Sequence, residues 1–133
     1  MTQFVASAEG LAEPLGPYTF AARTAAGLVF VSGQIPQDGA TGTLETGSIS
    51  AQTALVLDNM QRVLRAIGLT LDHVISCMIY LTDLGEFQEM NRVYGERFGS
   101  HRPARATVGV ASLFGGVRVE ISAIAEEPPA TET

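Results

Sequence analysis

The chain has one cysteine, two histidines and no tryptophan in 133 residues. With Cys77 alone, no disulfide can form within it. Cys77 sits mid-run among apolar, strand-forming residues, which suits a small buried hydrophobe rather than a nucleophile. His73 and His101 have no second His or Cys at a metal-ligand spacing. There is no Gly-x-Ser-x-Gly elbow, no GxGxxG after a strand and no Gly-Lys-Ser/Thr phosphate loop, and no internal repeat. Metal, nucleotide and covalent Ser/Cys mechanisms therefore have no support, and no cofactor is expected. Basic residues are also scarce, 8 against 14 acidic ones, for a formal charge of −6 and a pI near 4.7. Nucleic acid and anionic membrane attract basic surfaces, so neither is expected as a partner. A local patch of Arg102, Arg105 and Arg118 is still compatible with small anionic metabolites. No run approaches membrane-spanning length, and the start lacks a positive segment followed by an apolar one, so a cytoplasmic protein is expected.

What is present suits one globular domain over residues 1–133, with 46 % hydrophobic residues and loose termini at 1–14 and 127–133. Met1 to Pro17 reads as loop or loosely extended. Tyr18–Thr24 and Leu28–Ser32 flank the turn Ala25-Ala26-Gly27 as a first hairpin, closed by Pro36. Gln37 to Gly47 is an exposed loop. Ser48 caps a helix that stops at Gly68, with Thr53, Val56, Met60, Val63, Leu64 and Ile67 on its packed face and Gln52, Asn59, Gln61, Arg62 and Arg65 largely elsewhere around the wheel. Val74–Thr82 is the strongest strand. Ile75, Cys77, Ile79 and Leu81 line one face; Val74, Ser76, Met78, Tyr80 and Thr82 line a second that is too apolar to be fully wet, which suggests cover from a partner subunit. Asp83 and Glu86 resemble a capping box before a second helix through Phe87, Met90, Tyr94 and Phe98, ending near Gly99. Asn91 lies one residue off that stripe and reads as a surface or boundary residue.

The last segment, Arg102 to Ala125, holds two β-rich runs around Gly115-Gly116, the mark of a second hairpin. Pairing Ser112 with Val117 across a four-residue loop sends Val108, Val110, Val117, Val119, Ile121 and Ala123 to one core. It puts Arg105, Thr107 and Gly109 on the other face with Arg118, Glu120, Ser122 and Ile124. An arginine and a glutamate on one polar surface form either an ordinary surface ion pair or a carboxylate site in which arginine grips the anion and glutamate handles a water. Spacing leaves both open. The fold expected is α+β, a single mixed or antiparallel sheet with two helices packed on one face. Its open face would be an oligomer interface, with a site between subunits.

Several ordered motifs resemble one family. They are Gly16-Pro17-Tyr18, Val31-Ser32-Gly33-Gln34-Ile35-Pro36, Ala51-Gln52-Thr53, Tyr80-Leu81-Thr82-Asp83-Leu84, and Asn91 with Tyr94 and Phe98. The most specific are Arg102-Pro103-Ala104-Arg105 and Glu120-Ile121-Ser122-Ala123-Ile124-Ala125. From about Leu15 to Ala125 the chain resembles the RidA (YjgF-type) reactive enamine/imine deaminases. The resemblance implies a chorismate-mutase-like α+β fold, a homotrimer with sites in the clefts between subunits, and hydrolysis of 2-aminoacrylate or 2-iminobutyrate-type acids to 2-keto acids and ammonia. By the same resemblance Arg105 would hold the substrate carboxylate, Glu120 would orient the water, and the backbone at Thr107 would meet the imine nitrogen. Tyr18, Ser32 and Asn91 would shape the pocket. Departures from the family pattern are Thr107 where many members carry Cys, Ala106 for Ser, and Leu113-Phe114 for Leu-Pro. Competing functions are a deaminase dedicated to one catabolic pathway and a non-catalytic sensor of small carboxylates. Acidic charge and the missing histidine acid–base pair weigh against RNA cleavage.

Overall fold

Alternation along three strands decides where the core lies. A computed structural model, describing residues 1–129, gives the strands as β1 (Gln3–Val5), β2 (Ala21–Arg23), β3 (Leu28–Gln34), β4 (Val74–Leu81), β5 (Ala104–Gly109) and β6 (Val119–Glu126). Val29 and Val31, Cys77, Ile79 and Leu81, and Val119, Ile121, Ala123 and Ala125 are all buried, while their neighbours in sequence are half-buried or exposed. One sheet face therefore takes the apolar load. The helices α1 (Ile49–Arg65) and α2 (Phe87–Phe98) cover it with Val56, Leu57, Met60, Val63 and Leu64 from the first and Met90, Tyr94 and Phe98 from the second. The order across the sheet is β1-β2-β3-β6-β4-β5. Every neighbouring pair is antiparallel except β4 and β5, so the sheet is mixed.

Local signals set the helix ends. The Ser48 hydroxyl accepts from the Ala51 N–H at 3.1 Å, and α1 is followed by Gly68 at φ +76°. Gly99, at φ +64°, stops α2. The expected capping box before α2 is absent. Asp83 instead accepts from the Gly85 N–H at 2.8 Å, starting a short 3-10 turn over Leu84–Glu86, and Glu86 turns away to pair with Arg118. Of the termini expected to be loose, Gln3–Val5 pair with β2, and Glu127 is tied to Arg23 at 2.5 Å. Residues 130–133 lie outside the described residues.

Two further expectations are corrected. A register shift between Val74 and Ser76 buries Val74 and turns Ile75 outward, 43 % exposed, so these two residues exchange the faces read from strict alternation while Cys77, Ile79 and Leu81 keep theirs. More consequentially, β5 and β6 do not form a hairpin. β4 lies between them, pairing parallel with β5 and antiparallel with β6. The chain reaches β5 from β4 through α2, as a parallel pair requires. Residues 110–118 then return to β6, with Gly115 and Gly116 both at positive φ (+65° and +79°) inside that connection rather than at a hairpin tip.

Candidate functional site

The pairing registers decide where the candidate residues point. Arg105 lies beside Cys77 and Thr107 beside Ile79, so both face the helices. Glu120 lies beside Tyr80, so it faces the other way. The single polar face expected to carry Arg105 and Glu120 together does not exist within one chain. The predicted residues fall instead into two groups on opposite sides of the sheet.

The first group surrounds Glu120. β3 has a register shift between Val31 and Gln34, and the Gln34 side-chain amide donates to the Ser32 carbonyl across it at 2.9 Å. Ser32 is fixed by its hydroxyl donating to the Thr19 carbonyl at 2.6 Å and its N–H to the Phe20 carbonyl at 2.9 Å. Gly33, the next residue, leaves room that any side chain would fill. A Cβ built there would sit 2.3 Å from Glu120 Oε2. Tyr18 projects from the Gly16-Pro17 turn, its phenol accepting from the Leu15 N–H at 3.4 Å. Tyr18, Ser32, Gly33 and Glu120 line a common open cavity of roughly 570 Å³. Among the described residues Glu120 has neither an ion pair nor a hydrogen-bond partner. Its half-burial pushes the carboxyl above the ordinary glutamate value.

The second group lies between β5 and α2. The Arg105 guanidinium carbon is 4.9 Å from the centroid of the Tyr94 ring and 5.6 Å from that of Phe87. Asn91 occupies the helical turn between these two rings. Asn91 Oδ1 and Thr107 Oγ1 are buried without a partner among the described residues. Such an atom costs about 1–3 kcal/mol where nothing satisfies it. Asn91 is thus no satisfied boundary residue. Arg105 has no carboxylate partner among the described residues either. Burial pushes the Cys77 thiol up, keeping it protonated, in keeping with a core role.

Sequence reasoning missed the parts that hold these groups in place. Gln52 is fully buried: its Oε1 accepts from the Arg118 N–H at 2.8 Å and its Nε2 donates to the Gly47 carbonyl at 3.0 Å. Asn59 is also buried, donating to the carbonyls of Ile35 and Gln37 at 3.1 and 2.9 Å. Both were expected on the wet side of α1. The basic patch of Arg102, Arg105 and Arg118 is not formed as a free surface. Arg118 is held by Glu86 at 2.7 Å and by the Gly47 carbonyl at 2.8 Å, and Arg102 donates to the carbonyls of Gly99 and His101. A glycine inside a strand is itself a sign of close approach, and Gly33 could have been read that way. Phe87, Asn91 and Tyr94 share helical spacing, which could have marked the rings beside Arg105.

Comparison with known proteins identifies relatives of the chain and its fold. A family model described as Endoribonuclease L-PSP matches residues 10–127. Protein DfrA of Myxococcus xanthus is 49 % identical over 112 residues, covering 84 % of this chain and 86 % of that protein. Human 2-iminobutanoate/2-iminopropanoate deaminase is 36 % identical over 120 residues, covering 88 % and 85 %. The crystal structure of E. coli TdcF with bound serine superposes with a TM-score of 0.87 at 32 % identity, covering 95 % of this chain and 100 % of that one. The mixed six-stranded sheet with two helices is the chorismate-mutase-like α+β fold of these relatives. The chain belongs to the RidA/YjgF/L-PSP (Rid) family.

Proposed function

We propose that the protein hydrolyses 2-imino acids and their enamine tautomers to 2-keto acids and ammonia, at sites shared between copies of the chain in a homotrimer. One observation carries this reading. Arg105 and Glu120 are each without an opposite charge among the described residues, and they leave the sheet on opposite faces. One copy cannot bring both to a small substrate. Two copies can, if the Glu120 side of one meets the Arg105 side of the next. A human relative named for this deamination and a bacterial relative with bound serine, a small amino carboxylate, support the substrate class.

In this scheme the Arg105 guanidinium, braced by Phe87 and Tyr94, holds the carboxylate through two parallel N–H bonds. The imine carbon beside it is already electrophilic, so orientation supplies much of the acceleration. Glu120 accepts a proton from water as the water oxygen bonds to that carbon, giving a carbinolamine. Glu120 passes that first proton to the nitrogen as the carbinolamine forms; it then moves the hydroxyl proton to the nitrogen as well, and the carbon–nitrogen bond breaks to release ammonia as the carbon–oxygen double bond forms. The balance is imine plus water to ketone plus ammonia. A glutamate raised toward the working pH can both take and return that proton. The Thr107 backbone would meet the imine nitrogen, with Tyr18, Ser32 and Asn91 shaping the pocket. The chain contains no lysine, so no side-chain amine can form a covalent Schiff base, and buried Cys77 is no nucleophile; water is the attacking group. RNA cleavage finds no acid–base pair here. His73 Nδ1 accepts from the Thr70 N–H, and His101 Nε2 donates to the Val74 carbonyl.

The test is release of 2-oxobutanoate from 2-iminobutyrate generated in place by a threonine dehydratase. Wild type should accelerate it, and Arg105→Ala and Glu120→Ala should each lose the acceleration by about 10²-fold or more. Full activity in either variant overturns the assigned roles. Absence of acceleration by wild type, with 2-oxobutanoate still bound through Arg105, would mean a sensor instead.

A further inference from the structure

Three of the nine large hydrophobic side chains exposed among the described residues gather around one cavity: Leu15 and Tyr18, each 47 % exposed, and Phe114, 58 % exposed. It is the cavity that contains Glu120, and Pro17 and Ile35 extend its apolar wall. The smallest substrates of the proposed reaction, with side chains of one or two carbons, do not need such a wall. Scattered apolar residues on a surface are ordinary, but a cluster around a polar floor marks a ligand groove.

The backbone at Phe114 is also fixed in place. Its connection is closed by the Gly116 N–H donating to the Leu113 carbonyl and the Val117 N–H donating to the Phe114 carbonyl. Leu44 packs so close to Gly115 that a Cβ there would lie 2.2 Å from its Cδ1. Four residues after Phe114, Arg118 is clamped by Gln52, Glu86 and the Thr46 and Gly47 carbonyls. The backbone that carries this exposed ring is thus held on both sides, which makes Phe114 part of a built rim.

Resting on the deaminase reading, we infer that this groove selects 2-imino acids with bulky apolar side chains, of the size derived from leucine or phenylalanine, and that Phe114 is a specificity-determining residue. With the carboxylate held from the Arg105 side and the reacting carbon near Glu120, the substrate side chain lies along Leu15, Pro17, Tyr18 and Phe114. Filling an apolar pocket discriminates by roughly 10–200-fold per methylene-sized difference at best.

The experiment has two arms. In the first, 2-imino acids are generated by an L-amino-acid oxidase from alanine, leucine, phenylalanine and glutamate, and kcat/KM is measured for wild type, Phe114→Ala and Phe114→Leu. Wild type should favour the leucine and phenylalanine products over the alanine product by about tenfold or more. Phe114→Ala should lower that ratio about tenfold, with Phe114→Leu recovering part of it. The second arm titrates the stable 2-keto acids pyruvate and phenylpyruvate calorimetrically, with no turnover required. A flat or small-favouring panel, or a ratio unmoved by Phe114→Ala, overturns the specificity while the deaminase reading stands. Selective binding of phenylpyruvate that weakens in Phe114→Ala, with no turnover of any imine, would overturn the reaction and retain the groove. No turnover and no preference in binding overturns both.

Discussion

Glu120 carries its charge where charge is disfavoured, and this makes it separable from the residues that hold the fold. Half-burial without a partner among the described residues raises its carboxyl above the reference value of 4.5. Between the unfolded and folded values the native state binds more protons, so this group's contribution falls as pH rises through that window and stays unfavourable above it. Glu120→Gln removes the ionisation. The variant should melt no lower than wild type at neutral pH, and any advantage should shrink as pH drops toward 4.5. The same substitution should cost about 10²–10⁴ in turnover. In wild type the acid limb of kcat/KM should have its midpoint above 4.5. Thermal melts across pH check the first statement and a pH–rate profile the second; a Glu120→Gln variant that unfolds early at neutral pH would show the carboxylate to be structural.

The elements are held by side chains whose positions on the helical wheel understate them. Gln52 and Asn59 sit on the α1 flank that contacts loops, and their amides satisfy backbone groups of residues 35–47 and of Arg118. Gln52→Leu keeps the bulk but strands the Arg118 N–H and removes one of the two bonds that the Gly47 carbonyl accepts, leaving the one from the Arg118 guanidinium. Denaturant unfolding should show a loss of about 1–3 kcal/mol with an unchanged m-value, and unaltered stability would mean that water takes over both bonds. The helices, their caps at Ser48 and Gly99, the first hairpin and β4 were legible because local signals specify them. The β4–β5 pairing was not. A parallel pair joined through α2 leaves no turn motif between its strands, whereas Gly115-Gly116 between β-rich runs imitates one. Arg105, expected on the same face as Glu120, was therefore assigned to the wrong side of the sheet. Gln52 and Asn59 escaped because polar residues beside an apolar stripe look the same whether they meet water or a carbonyl.

At the scale of the whole molecule the two candidate groups ask for a neighbour. The open face carries Phe30 and Ile75 exposed and Met78 and Tyr80 half-buried, an apolar surface with no cover among the described residues. On the proposed reading, equal amounts of Arg105→Ala and Glu120→Ala chains, each inactive alone, should regain activity when unfolded and refolded together. If each site takes its glutamate from one copy and its arginine from another, random assembly would restore about a quarter of the sites in any closed ring. Activity assays after co-refolding check this, with sedimentation to verify assembly; no recovery in well-assembled mixtures would place both groups of a site in one copy. On the same reading, the opposite orientation of Arg105 and Glu120 would also tie rate to abundance. A chain alone in dilute solution carries two halves that face away from each other, so turnover per molecule would fall on dilution below the assembly threshold, and expression level would set how hard each molecule works as well as how many there are.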